Sequence, residues 1–281
     1  MKVAYDGRRF HGFARQPDAR TVEGEVLFAL KKAGLLVSPE AANFRGASRT
    51  DAGVSALGNV IAWDTDLADD SLVGRFNDAA KDVWAWALAE LPPGFDPRRA
   101  LVRWYCYILL GRHDAAKLRE TAQVFLGTHD FAAFASPDAE RTRRHVDSID
   151  ATIDEDAIAI DVRAPSFLRG MVRRIVAALL AVERGDATEE VLRGALETGN
   201  GPDLGTVAAE PLTLMDVDLG VPFRVAVDRA TRERVARHME ETTVAARFWR
   251  EARGRVTGGH AKSPPVETEV ADASGAPRGN S

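Results

Sequence analysis

The sequence predicts an α+β (mixed α/β) protein, and three observations carry that expectation. Segments of two-residue apolar alternation or unbroken apolar content are interspersed irregularly with segments of helical period. Capping residues, glycines and prolines bound both kinds of segment. No Gly-x-Gly-x-x-Gly follows a strand and there is no Walker loop, which argues against a doubly wound nucleotide-binding domain. The 281 residues suffice for one large domain or two modest ones. Two α/β subdomains are expected, 1–100 and 101–253, joined near 97–103, with a polar, Gly- and Pro-rich tail at 254–281 that reads as disordered. No internal repeat is visible.

In chain order, 2–5 reads as a short strand closed by the turn pair Asp6-Gly7. Thr21 is an N-cap for a helix with Val22, Val26, Ala29, Leu30 and Ala33 on one face, stopped at Gly34. Residues 57–63 read as a strand and 69–80 as a helix. The run 83–88 is apolar throughout and reads as a buried strand, closed by Pro92-Pro93-Gly94. Residues 103–110 form another strand, and 117–126 an amphipathic helix ended by Gly127. Ile158, Ile160 and Val162 alternate as a strand. Ser166 is positioned to cap a long helix over 167–184, with Phe167, Met171, Ile175 and Leu179 as its core face. A helix over 188–198, a strand over 212–219 and a charged helix over 229–253 complete the reading.

Composition narrows the chemistry. There is no apolar run long enough to span a bilayer and no secretory leader at Met1, so a cytoplasmic location is expected. The single cysteine, Cys106, lies in an apolar run and reads as a buried structural residue; it allows neither an internal disulfide nor a thiolate metal cage. The six histidines are scattered without metal spacing, so a metal is not expected. A net charge of -5 argues weakly against nucleic acid, but six lysines stand against 31 arginines. Arginine suits phosphate and stacking on bases; GC-rich coding explains the same bias. An acidic, lysine-poor chain also suits a salt-rich medium, where a Debye length of ~3 Å at molar salt lets it approach a polyanion through a locally basic face.

The most informative stretch runs from Arg45 to Val60. Small residues and glycines surround one carboxylate, Asp51, with Arg49 two positions before it. Small neighbours admit a substrate backbone, and a nearby guanidinium favours the ionised carboxylate, a nucleophile or base. The same residues also fit an Asp that stabilises a turn before Gly53.

Arg49-Thr50-Asp51-Ala52-Gly53-Val54-Ser55-Ala56 resembles the Gly-Arg-Thr-Asp-x-Gly-Val-His-Ala motif of the TruA family of tRNA pseudouridine synthases, with archaeal-like Ser48 and Ser55 in place of Gly and His. Further blocks follow in family order. Tyr5-Asp6-Gly7 and His11 to Pro17 resemble its N-terminal block, and Thr21 to Gly24 its first helix. Tyr105-Cys106-Tyr107 resembles its Tyr-x-Tyr strand, Gly127 to Phe131 its Gly-x-x-Asp-Phe turn, and Ser166 to Arg174 its Phe-x-x-x-Met-Val-Arg helix. The blocks span about residues 2–219.

The resemblance implies the pseudouridine synthase fold, with a mixed sheet and a central basic cleft, and a cofactor-independent isomerisation of uridine in tRNA. The target base is expected to flip out of its stack. By the same resemblance Asp51 is the catalytic residue, by attack at C1′, addition at C6 or a glycal route. Tyr105 packs on the flipped base, Arg173 pairs with Asp51, and Arg49 fills the gap in the stack. Substrate uridines at positions 38–40 of the anticodon arm, tRNA as partner and a homodimer are implied too. Read alone, Tyr105 is a core residue and Arg173 a solvated one. Arg169, Arg173 and Arg174, like Arg8, Arg9, Arg15 and Arg20, form either surface charge or phosphate contacts, and His145 reads as an exposed basic contact. Two rivals are an inactive RNA-binding module and a hydrolase using Asp51 and Asp6 as an acid–base pair.

Overall fold

The computed structural model describes residues 1–67, 71–154, 156–237, 239, 240 and 242. Apolar residues at every second position form strands buried on one face. β1 (Lys2–Tyr5) leads to α1 (Val22–Lys32), β2 (Arg45–Gly46), β3 (Ser55–Ala62), α2 (Ser71–Ala79) and β4 (Val83–Leu88). Then come β5 (Val102–Leu110), α3 (Ala115–Ala122), β6 (Gly127–Asp130), β7 (Arg143–Val146), β8 (Ser148–Asp154) and β9 (Ala157–Ala164). α4 (Met171–Arg184), α5 (Glu189–Thr198), β10 (Leu212–Asp218) and β11 (Arg224–Val225) follow. Contacts gather Met1–Thr231 into one unit.

Nine strands form one sheet in the order β11-β4-β1-β3-β10-β5-β9-β8, with β2 paired to β3 off that path; β6 and β7 form a separate two-stranded sheet. The β3–β10 pair is parallel, and the other pairs among the described residues are antiparallel. Apart from the edge strand β11, strands from the first hundred residues thus fill one side of the sheet and later strands the other, with β10 between them. The register decides what meets there. Leu214 of β10 pairs with Ala56 of β3 on one side and Tyr105 of β5 on the other. The turn that precedes β3 therefore lies only two strand spacings, about 10 Å, from the middle of β5.

The helices stand where capping and burial allow. Thr21 Oγ1 accepts the Gly24 amide and starts α1, whose Val22, Val26, Ala29 and Leu30 are buried. α2 is tied to the sheet by Asn77, which exchanges two hydrogen bonds with the Ala85 backbone. α4 buries Met171, Ile175 and Leu179. Cys106 is buried as expected, and burial pushes its thiol up to about 12, with Asp161 adding to the shift. No helix among the described residues is long and apolar enough to cross a membrane.

Several local expectations are corrected. α4 begins at Met171, not 167, and Ser166 does not cap it. Gly170 at φ +72° is the N-cap, a left-handed backbone that ends the preceding loop and turns the chain into the helix. The helix expected over 117–126 starts earlier, because Asp114 accepts the Ala116 and Lys117 amides, and its last turn tightens to 3-10 geometry over Gln123–Phe125. The block from Gly127 to Asp130 is a strand paired with β7 rather than a turn. β2, β7, β8 and β11 were not expected. β8 does alternate Ile149, Ala151 and Ile153, but β2 and β11 have two residues each and carry no period to detect. The described residues 229–237, 239, 240 and 242 are helical; the rest of the 229–253 segment, the 254–281 tail and the start at 69 lie outside the described residues.

Candidate active site

The segment 47–55 is a tight turn held from below by buried polar groups. Tyr5 Oη lies 2.9 Å from Thr50 Oγ1 and accepts from Asn59 Nδ2 at 3.1 Å. The same Asn59 amide donates to the Ser48 carbonyl at 3.0 Å. Asn59 and Tyr5 are almost wholly inaccessible, so each of these bonds is shielded from competing water. Desolvation pushes the Tyr5 phenol up to about 12, which keeps it a neutral donor. The Phe13 amide donates to the Thr50 carbonyl at 3.0 Å, and the Val54 amide closes the turn on the Asp51 carbonyl at 3.1 Å.

Two glycines let other chain segments touch this turn. A Cβ on Gly7 would sit 2.2 Å from the Val54 carbonyl carbon, and one on Gly46 would sit 2.5 Å from the Phe13 ring. Only hydrogen fits at either place. Ser55 Oγ accepts the Gly7 amide at 3.0 Å, so the serine found where the resembling family has histidine ties the turn to the end of β1.

The Asp51 side chain is left 28% exposed and faces a cavity of about 900 Å³. Arg173 Nη1 lies 3.6 Å from Asp51 Oδ2, and Arg169 Nε lies 4.0 Å from Oδ1. The two cations are held differently. Arg173 is 20% exposed and its Nε donates to the Val207 carbonyl at 2.8 Å, whereas Arg169 is 71% exposed and is shared with Asp138. Tyr105 lines the same cavity from β5 and meets the Phe167 ring edge-on, with centroids 5.2 Å apart. Its phenol is raised well above the usual tyrosine range, first by burial and then by the nearby Tyr5 and Asp51.

Arg49 is exposed and also lines the cavity. With Arg98, Arg103, Arg169, Arg173 and Arg174 it makes six arginines around one carboxylate, since Asp51 is the only acidic group in the lining among the described residues. A chain of net charge -5 therefore has a locally basic pocket. All four residues singled out in the sequence, Asp51, Tyr105, Arg49 and Arg173, border this one space.

Other candidates lie elsewhere. Asp6 does not line the cavity; its carboxylate is gripped by Arg8, which holds its pKa below the usual range, so it is not poised as an acid–base partner for Asp51. Arg9 and Arg20 pair with Asp82 on the surface. His145 sits on β7, 2.8 Å from Thr128 Oγ1 and away from the cavity lining. Sequence reasoning missed Arg103, Tyr5 and Asn59 as parts of the site. For Arg103 a signal existed, since a cation inside the apolar run 102–110 needs a reason to be there.

Comparison with known proteins gives concordant results. A family model described as tRNA pseudouridine synthase matches residues 121–219. The chain is 41% identical over 259 residues to the tRNA pseudouridine synthase A of Methanococcoides burtonii, covering 88% of this chain and 93% of that one. It is 41% identical over 251 residues to the protein of the same name from Pyrococcus furiosus, covering 86% and 90%. The Methanosarcina barkeri protein of that name is 45% identical over 189 residues, 66% of this chain and 70% of its own.

Proposed function

The chain belongs to the tRNA pseudouridine synthase A family and isomerises uridine in tRNA to pseudouridine; from that premise we propose that Asp51 is its catalytic nucleophile. The observation that carries this assignment is the isolation of Asp51 as the one carboxylate, among the described residues, lining a basic cavity, with two guanidinium groups within 4.0 Å and a buried tyrosine in the same wall.

The reaction breaks the N1–C1′ bond, turns the uracil and joins C5 to C1′; C5 gives up its proton and N1 gains one. Nothing is transferred to or from the molecule, so the balance closes without a cofactor. A base reaches such a pocket only when its nucleotide leaves the stack. The turn that carries Asp51 is held rigidly by the Tyr5–Asn59–Thr50 bonds, so the carboxylate meets the nucleotide preoriented. Arg173, fixed through Val207, holds the carboxylate oxygen that faces it. The apolar ring of Tyr105 packs on the extruded uracil and keeps water from it, and Arg49 takes the place of the missing base in the stack.

The target uridines are those at positions 38–40 of the anticodon arm. RNA of this kind is recognised by shape and backbone, and the exposed arginines at the cavity, not the buried Arg103, meet its phosphates. The enzyme acts in the cytoplasm as a homodimer, in which a second copy extends the basic surface.

Mapping of pseudouridine in tRNA with the wild type and Asp51→Ala tests the assignment. The variant is expected to fold and to bind tRNA while forming no product at any position. Product at the wild-type rate would remove Asp51 from the mechanism. Loss of product at positions other than 38–40 would keep Asp51 and correct the choice of uridine.

A further inference from the structure

Arg103 is the least expected charge in the molecule. It lies on β5, two residues before Tyr105, and is 7% exposed. A buried guanidinium normally faces a carboxylate. Arg103 faces carbonyl and hydroxyl oxygens instead. Its Nε donates to Ser48 Oγ at 2.9 Å. One Nη2 proton goes to the Ala47 carbonyl at 2.8 Å and the other to the Arg98 carbonyl at 2.8 Å. Nη1 donates to the Pro165 carbonyl. Four of the five N–H groups are thus committed to protein oxygens.

These acceptors belong to three separate walls of the cavity. Ala47 and Ser48 begin the turn that presents Asp51. Arg98 lies in the segment before β5. Pro165 opens the loop that runs through Phe167 and Arg169 into α4 and Arg173. Arg103 joins all three. Burial draws the guanidinium below the usual arginine range and no carboxylate offsets it, so the arrangement carries a cost that packing alone would not select. Ser48 gains a purpose here as well: its hydroxyl is the acceptor for Nε, and a glycine at that position offers none.

We propose that Arg103 is a positioning residue for the isomerisation: through Ser48 and the Ala47, Arg98 and Pro165 carbonyls it locks the Asp51 turn against the loop carrying Phe167 and Arg169, so that the carboxylate and the Tyr105 wall keep a fixed separation. This rests on the reading of Asp51 as the catalytic group. Arg103 itself touches neither substrate nor reacting atoms. A rigid fork satisfies four divergent acceptors at once, and a lysine ammonium, with three protons on one nitrogen, does not.

The experiment compares Arg103→Lys, Arg103→Met, Ser48→Ala and the Ser48→Ala/Arg103→Met pair with the wild type and Asp51→Asn. Single-turnover pseudouridine formation at saturating tRNA, tRNA affinity and melting temperature are read for each. Arg103→Lys is expected to slow the chemical step about 100-fold, as an ångström of misplacement does, with tRNA affinity within about threefold. Ser48→Ala, which leaves the other three bonds, is expected to slow it about 10-fold and, by leaving one buried N–H without its acceptor, to lower the melting temperature by only a few degrees. The double variant should be no slower than Arg103→Met alone, because both changes break the same lock. A wild-type rate in Arg103→Lys, a loss of rate that follows tRNA affinity, or independent multiplication of the two effects would each overturn the proposal. If neither Arg103 variant folds, Ser48→Ala decides alone, and a wild-type rate there overturns it. Asp51→Asn separates the two levels: if it is active, the catalytic reading of Asp51 fails; if it is inactive while Arg103→Lys is normal, only the positioning role fails.

Discussion

At the residue scale the site is a matter of which charges are compensated and by what. Asp51 meets two guanidinium groups, one fixed and one exposed. The fixed one, Arg173, forms an ion pair with the carboxylate at 3.6 Å and hydrogen-bonds a backbone carbonyl, so its removal has two separable effects. Arg173→Ala is expected to slow product formation about 100-fold, the scale of losing a charge-assisted contact to the reacting group. The loss of its bond to Val207 should cost only about 1 kcal/mol of stability. Kinetics and a denaturant melt on the same preparation check both, and a stability loss several times larger would make Arg173 a structural residue. Asp51, Arg49 and Tyr105 were legible in the sequence because they sit in short blocks of distinctive order. Tyr5 and Asn59 were not, because a buried polar residue inside a strand looks like an exposed one until its partners are known; Arg103 stood out as a cation in an apolar run, but its partners did not.

At the element scale the turn before β3 is built by close approach. Gly7 ends β1 and leaves no room for a methyl group against the Val54 carbonyl. Gly7→Ala is therefore expected to push the Asp51 turn away from β1, destabilise the protein by about 1–3 kcal/mol and lower the rate of product formation more than tRNA affinity. Equilibrium unfolding beside single-turnover kinetics tests this, and a variant with wild-type rate and stability would mean that the turn tolerates the shift. α1, β4, β5, β9 and α5 were read within a residue or two from sequence, whereas β8 was missed despite its alternation and α3 was started two residues late. The misplaced start of α4 has a definite cause: Ser166 and Phe167 look like a cap and a first turn, but Gly170 adopts a left-handed φ of +72° that no helix interior contains. The unused residues of that apparent first turn became cavity lining instead.

At the scale of the whole molecule, a net charge of -5 and a polyanionic substrate are reconciled by placement. Six arginines border the cavity; three of them, Arg98, Arg169 and Arg174, pair with Asp96, Asp138 and Asp203 outside its lining, and Asp6 and Asp82 neutralise arginines farther away. Binding of tRNA should weaken linearly in log–log terms with salt, as counterions are released from the phosphates. Arg49, exposed at the cavity and paired with no carboxylate among the described residues, carries its charge into the stack between flanking phosphates and should contribute up to about one unit of that slope. Titrations of wild type and Arg49→Ala across a salt series measure it; an unchanged slope in the variant would take Arg49 out of the RNA interface. Composition had argued weakly against a nucleic acid, because a summed charge contains no information about where the charges lie.

The amino-acid sequence by itself determined the local structure and the chemistry on offer: the Thr21 cap of α1, the alternation of β9, the apolar runs of β4 and β5, the glycine-flanked carboxylate and the family to which these blocks belong. Those features depend on neighbours a few residues apart, where backbone sterics and short-range hydrogen bonds decide. Only the tertiary structure decided that Asp51, Tyr105 and Arg173 share one cavity. That depends on β10 running between β3 and β5 in a register that sets Ala56, Leu214 and Tyr105 in one row. The buried lock at Arg103 was decided in the same way, because its four acceptors come from segments that meet only when the sheet closes, and such long-range pairing leaves no periodic mark in the chain.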